Sequence, residues 1–301
     1  MTSVTRLHRP LMVFTAAMAA LALVAAVGLI ADPRVLVGMP IWAKPFKFAV
    51  SFALYATTLA WMLSLLPRRS RAAEWAATVV VAASVLEMVV IVTQVVRGRT
   101  SHFNEATPLD AALWQVMGAA VMVLVAGHFV VGIVVLRARI ADRVAAHAVR
   151  WGLGLSMLGM LVAVPMTLSS AVPPGRTDIS GGHSVGVADG GPGLPLLGWS
   201  TVGGDLRIGH FVGLHALQAL PLLALLLGRR FDALTRVRLL AVGGAAYGLL
   251  TLLLTWQALR GQPLLRPDAV TLAAAGALAG ATLLAARTVV RRRQPELELA
   301  A

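Results

Sequence analysis

A carboxylic acid is expensive to keep inside an apolar helix, and Glu87 is the only acid well inside one of the long hydrophobic stretches of this chain. A group in that position acts as a proton acceptor, a ligand or a counter-charge. Histidines supply the second chemistry. His102, His183, His210 and His215 fall on one side of the expected topology, and imidazole serves as general acid/base or as metal ligand. The third resource is Lys44 with Lys47, in a chain that otherwise uses Arg for 24 of its 26 basic residues. An ammonium on a flexible stem is a point charge for an anionic group. The same pair also reads as interfacial lysines reaching to water.

Spacing suggests how these groups meet. At about 1.5 Å per helical residue, Glu87 and His215 lie roughly 13 and 12 Å below the same-side ends of their helices, so the two could share a pocket. Gln94 follows Glu87 by seven residues and lies on the same face nearer the surface, where Lys44, Lys47 and His210 also fall. Glu87, His215 and Lys47 are therefore the expected catalytic groups. Lys44, Gln94, Asn104, His183, Asp205 and Gln218 are the expected substrate contacts. His210 and His215 stand about 140° apart around one helix, and the usual zinc pair is spaced by four with a glutamate between. A transition metal would have to be gathered from several elements, with His102, His210 and His215 as ligands beside Glu87 or Asp205. The alternative is that each imidazole satisfies a helix end or a nearby carbonyl. His128, nearer the other side, reads as a structural contact. A P-loop and a G-x-S-x-G elbow are absent, and the lack of cysteine excludes thiolate metal sites, cysteine nucleophiles and disulfides.

The elements that must hold these residues are membrane helices. The chain is 58% hydrophobic and 13% charged, with a mean hydropathy of +0.81, far more apolar than a soluble domain. Eight stretches of about 20 residues match the hydrocarbon thickness: 11–30, 46–66, 73–96, 112–136, 148–170, 208–227, 239–259 and 270–286. An all-α polytopic bundle of about eight helices follows, because free backbone groups find no partner in hydrocarbon. Of the 26 Arg and Lys residues, 17 fall on the side of the two termini and 9 on the other, which orients both termini to the cytoplasm. Trp42, Trp114 and Trp256 at outer helix ends, with Trp75 and Trp151 at inner ends, agree with that orientation. The first apolar run is too long for a cleaved leader and is read as a retained helix. A net charge of +13 distributed among short connections, without a basic stripe, argues against nucleic acid and for the bilayer and its anionic headgroups as partners.

Two further patterns concern the halves. Gln94-x-x-Arg97-Gly98 recurs as Gln257-x-x-Arg260-Gly261, each followed by a loop with Pro108, Asp110 and Ala111 or Pro267, Asp268 and Ala269. The offset of 163 also sets Lys47-Phe48 on His210-Phe211. This reads either as a parallel four-plus-four repeat or as a coincidence of common helix terminators. The whole chain is taken as one integral membrane domain with a cytoplasmic tail over 288–301. The connection 171–207, with ten Gly and four Pro, is too long for a plain turn. Its Leu194, Leu196, Leu197 and Trp199 favour an ordered lid or re-entrant segment over the outer face.

The run from Gly182-His183 through Asp189-Gly-Gly-Pro-Gly to Asp205, His210, His215 and Gln218, with WAKPFKF at 42–48 and RGRTSHFN at 97–104, resembles an uncharacterised family of bacterial multi-pass inner-membrane proteins. The resemblance implies a bacterial inner-membrane location and carries no activity. Taken together, the residues point to an outward-facing polar pocket in a membrane-embedded or metal-dependent enzyme acting on a lipid or small molecule. A secondary transporter is the alternative. A haem-binding electron-transfer subunit, with His102 opposite His210 or His215, is a third reading.

Overall fold

The computed structural model describes residues 7–168, 178–228 and 230–292. Arg6, Arg176, Arg229 and Arg293 of the charge count, residues 171–177 of the long loop and 293–301 of the tail lie outside them. Among the described residues eight helical spans are long and apolar enough to cross a membrane, so the chain is an all-α, multi-pass membrane protein. They are α1 (Arg9–Ala31), α2 (Ala43–Ser64), α3 (Arg71–Arg97), α4 (Pro108–Arg137), α5 (Arg143–Leu161) continued by the single turn α6 (Val164–Thr167), α7 (Arg207–Leu227), α8 (Ala233–Leu259) and α9 (Ala269–Arg291). Several begin earlier than hydropathy alone indicates, because polar caps start them. The side chains of Ser70, Thr107, Asp142, Asp232 and Asp268 accept first-turn backbone N–H groups. Four two-residue strands were not foreseen: β1 (Val35–Leu36) and β2 (Met39–Pro40) form an antiparallel hairpin, while β3 (Ser184–Val185) and β4 (Gly204–Asp205) lie in the long connection. Ile30 is 91% and Leu225 71% exposed, an arrangement suited to hydrocarbon and poor in water.

The chain forms two compact units. The first contains α1–α4 and the segment 178–203; in it α1 packs on α2 and more loosely on α3, α2 on α3, and α3 on α4. Residues Ala73, Ala77, Val80, Ser84, Glu87, Ile91 and Gln94 form the buried seam of α3, at the alternating three- and four-residue spacing of closely packed helices. Gly127 of α4 lets the backbones approach: a Cβ there would sit 2.7 Å from Val80 Cγ2 and 3.2 Å from the Ala76 carbonyl.

The second unit contains α5 and α7–α9, with α5 against α7 and α8, α7 against α8, and α8 against α9. Gly159 and Gly213 bring α5 and α7 together backbone to backbone. Replacing α1, α2, α3 and α4 by α5, α7, α8 and α9 reproduces the same set of helix neighbours.

The repeated motif has the same local structure in both units. Gly98 and Gly261 end their helices at φ 68° and 72°, the left-handed conformation in which glycine costs least. Gln94 Nε2 donates to the Thr100 carbonyl at 3.1 Å and Gln257 Nε2 to the Pro263 carbonyl at 2.8 Å. Arg97 pairs with Asp110 and Arg260 with Asp268, each at 2.6 Å. The two pairs differ in burial: the Asp110 side chain is wholly buried, that of Asp268 is 39% exposed.

Candidate functional site

In the first unit the segment 178–203 folds over the connection between α3 and α4. Glu105 N donates to the Asp178 carbonyl at 2.8 Å and Ser180 N to the Phe103 carbonyl at 3.1 Å, and Asn104 bridges Ile179. At the start of α2, Lys47 Nζ donates to the Leu197 carbonyl at 2.8 Å. Gly38, with φ 70°, meets the Gly190 backbone so closely that a Cβ would lie 2.6 Å from its carbonyl oxygen. The described part of the loop is therefore an ordered cap tied to the helix ends by backbone bonds and by one lysine.

This cap carries an aspartate–histidine pair. His183 Nδ1 donates to Asp189 Oδ2 at 2.7 Å. The carboxylate also accepts the backbone N–H of His183 at 3.0 Å and of Ser184 at 2.8 Å. Burial opposes ionisation of Asp189, but these hydrogen bonds and the facing imidazole win and hold its carboxyl well below the usual range. An ionised Asp189 fixes an N–H donor on Nδ1, the orientation in which an aspartate supports a histidine general base.

Beside it His102 sits in an aromatic box. Its ring centroid lies 5.8 Å from Phe48, 6.2 Å from Phe103 and 5.6 Å from Trp114, and Phe103 lies 5.3 Å from His183. Burial, then the charges of Lys44 and His183, push the His102 imidazole well below its ordinary range, so it is neutral at pH 7. Lys44 Nζ stands 5.8 Å from the Phe48 centroid, and its charge acts on both His102 and Glu87.

Deeper along α3, Glu87 is 2% exposed and its Oε1 has no hydrogen-bond partner among the described residues; Ser84, one turn earlier on the same seam, is 0% exposed and its hydroxyl is likewise unpaired among them. An unsatisfied buried polar atom costs about 1–3 kcal/mol, and α3 carries two together. Gln94 is structural: besides Thr100 it donates to Asp110 at 2.9 Å, inside the Arg97 clamp. Asn104 Nδ2 donates to the Thr100 carbonyl at 2.9 Å and helps to shape the same connection. His128 bonds through Nδ1 to the Tyr55 hydroxyl at 2.9 Å.

The remaining expected residues belong to the second unit. His210 Nδ1 donates to the Gly159 carbonyl at 2.8 Å. His215 Nδ1 donates to Gln218 Oε1 at 3.2 Å, and its ring lies 4.3 Å from that of Phe211. Asp205, 0% exposed, pairs with Arg207 at the start of α7. Among the described residues no three His, Asp or Glu side chains gather as a metal ion would require.

Lys44, Lys47, Glu87, His102 and His183 are thus found in the first unit, and Asp205, His210, His215 and Gln218, expected beside them, in the second. Sequence reasoning missed Asp189, Ser84 and the rings of Phe48, Phe103 and Trp114. Ser84 had a readable signal, standing three residues before the only intramembrane acid. Comparison with family models, curated proteins and solved structures finds no match to the chain.

Proposed function

We propose that the chain is a membrane-embedded enzyme of the acid–base type, acting on a lipid or other small molecule at the outer face of a bacterial inner membrane, with its site in the first unit. The observation that carries this reading is the His183–Asp189 pair against the aromatic box of His102, in the unit that also holds the unsatisfied buried Glu87. In this mechanism His183 accepts a proton while Asp189 steadies the resulting imidazolium. Lys44 neutralises an anionic group of the substrate, and Glu87 exchanges a second proton from within the hydrocarbon. Lys47 acts by holding the cap. The basic bias and the tryptophan belts support termini in the cytoplasm and contact with anionic headgroups. The test is mass-spectrometric lipid and metabolite profiling of the purified protein in nanodiscs of bacterial lipid, with His183→Gln and Glu87→Gln as comparisons. A product that accumulates with the natural protein and not with either variant supports the reading; unchanged profiles in all three sink it.

A secondary transporter is the second reading, favoured by the recurrence of one four-helix neighbour pattern in both units. Its signature is substrate-driven proton uptake into proteoliposomes that Glu87→Gln abolishes. The metal-dependent and haem-bearing forms of the site rest on His102, His210 and His215 alone. Elemental analysis and the visible spectrum of the purified protein test them.

A further inference from the structure

The two units pack their first and third helices differently. In the second unit α5 and α8 close on each other because Gly244 and Gly248 present no side chain. Trp151 and Leu155 occupy the space, so that a Cβ at Gly244 would overlap the indole and one at Gly248 would lie 2.9 Å from Leu155 Cδ2. The repeat offset of 163 puts Val81 and Val85 of α3 where α8 has those glycines. Matching the first residues of α1 and α5, Arg9 and Arg143, puts Ala17 where α5 has Trp151. Bulk and space are exchanged: the first unit carries valines for glycines and alanine for tryptophan.

The result is a groove between α1 and α3 of about 460 Å³, lined by Arg9, Val13, Phe14, Ala17, Val81 and Val85 among others. That volume is within the ~300–1,000 Å³ of ligand pockets. Arg9 is its only charged lining residue and stands at the first turn of α1, where the helix leaves the apolar run. The adjacent His8 lies near Glu74, which pairs with Arg69 at 3.3 Å, so those two charges offset each other and Arg9 is the cation left on the lining of the groove.

The geometry points to a specific lipid site: the groove takes one acyl chain of an anionic phospholipid, and Arg9 receives its phosphate. The same place in the second unit is filled by its own tryptophan, against Gly244. An apolar groove with the stem of one arginine at its interfacial end complements an amphiphile with an anionic head, and one basic contact near a membrane surface contributes about 1 kcal/mol, roughly fivefold in affinity.

The test is native mass spectrometry of the full chain, titrated in detergent with phosphatidylglycerol or phosphatidylcholine. The natural protein should hold phosphatidylglycerol about fivefold more tightly, and the exposed Arg9→Gln should bring the two lipids level. Ala17→Trp with Val81→Gly gives the first unit the packing of the second and should remove the preferential adduct, with thermal unfolding as the check that it folds. Equal binding of both lipids by the natural protein overturns the proposal. So does a preference that survives Arg9→Gln, a readout that stands even where the double variant does not fold.

Discussion

Glu87 occupies a position on the α3 seam that a leucine could fill, between Ser84 and Ile91, with an oxygen that bonds to nothing among the described residues. Replacing an unsatisfied buried polar group by an apolar one of similar size is often neutral or stabilising. Glu87→Leu is therefore expected to leave the thermal midpoint unchanged or to raise stability by about 1–3 kcal/mol while abolishing any product formed; a loss of several kcal/mol would show that the carboxylate holds the fold. His102 supplies a pH test. Its folded pKa lies below the ordinary histidine value, so the unfolded chain binds its proton first. The contribution of His102 to stability is complete above about pH 6.5 and is lost as pH falls from there toward the folded value, with a slope of up to about 1.4 kcal/mol per pH unit. His102→Asn should flatten that part of the melting profile measured between pH 7 and 5. Glu87 could be found by reading because it is the sole acid in an apolar run. The partnership of His183 with Asp189 could not, since six residues of a glycine-rich loop carry no period that says which groups meet.

At the scale of elements, the two Gln-x-x-Arg-Gly clamps form a natural comparison. Asp110 is buried and holds Arg97, Gln94 and Thr107, so Asp110→Ala takes the shared acceptor from three donors and should cost about 3 kcal/mol. Asp268→Ala breaks an exposed pair and an N-cap and should cost about 1 kcal/mol. Denaturant unfolding of the two variants measures the difference, and equal losses would contradict the burial argument. The helices were legible because hydropathy and caps act within one segment. The clamps were legible as a repeated word. The β1–β2 hairpin was not, because two-residue strands have too few positions for alternation to show. The exchange of Trp151 with Gly244 for Ala17 with Val81 also required the packing to be seen, since each residue is unremarkable by itself.

For the whole molecule, the absence of cysteine makes any single introduced thiol the only one. On the proposed orientation, with both termini in the cytoplasm, Glu105→Cys should react with a membrane-impermeant maleimide on intact cells, whereas Arg68→Cys and Arg139→Cys should react only after permeabilisation; the reverse pattern would invert the topology. The eight spans were legible in the run of apolar residues along the chain, whereas the division into two units depends on which helices choose each other.

The cap that carries His183 and Asp189 belongs to the first unit, yet it is encoded after α5. During synthesis the ribosome therefore finishes the four helices of that unit and translates a further helix before the last groups of the site exist, a delay on the order of seconds at ordinary elongation rates. On the proposed function a half-made chain is chemically silent, and residues 1–139 expressed alone should remain inactive until residues 140–301 are supplied in the same membrane.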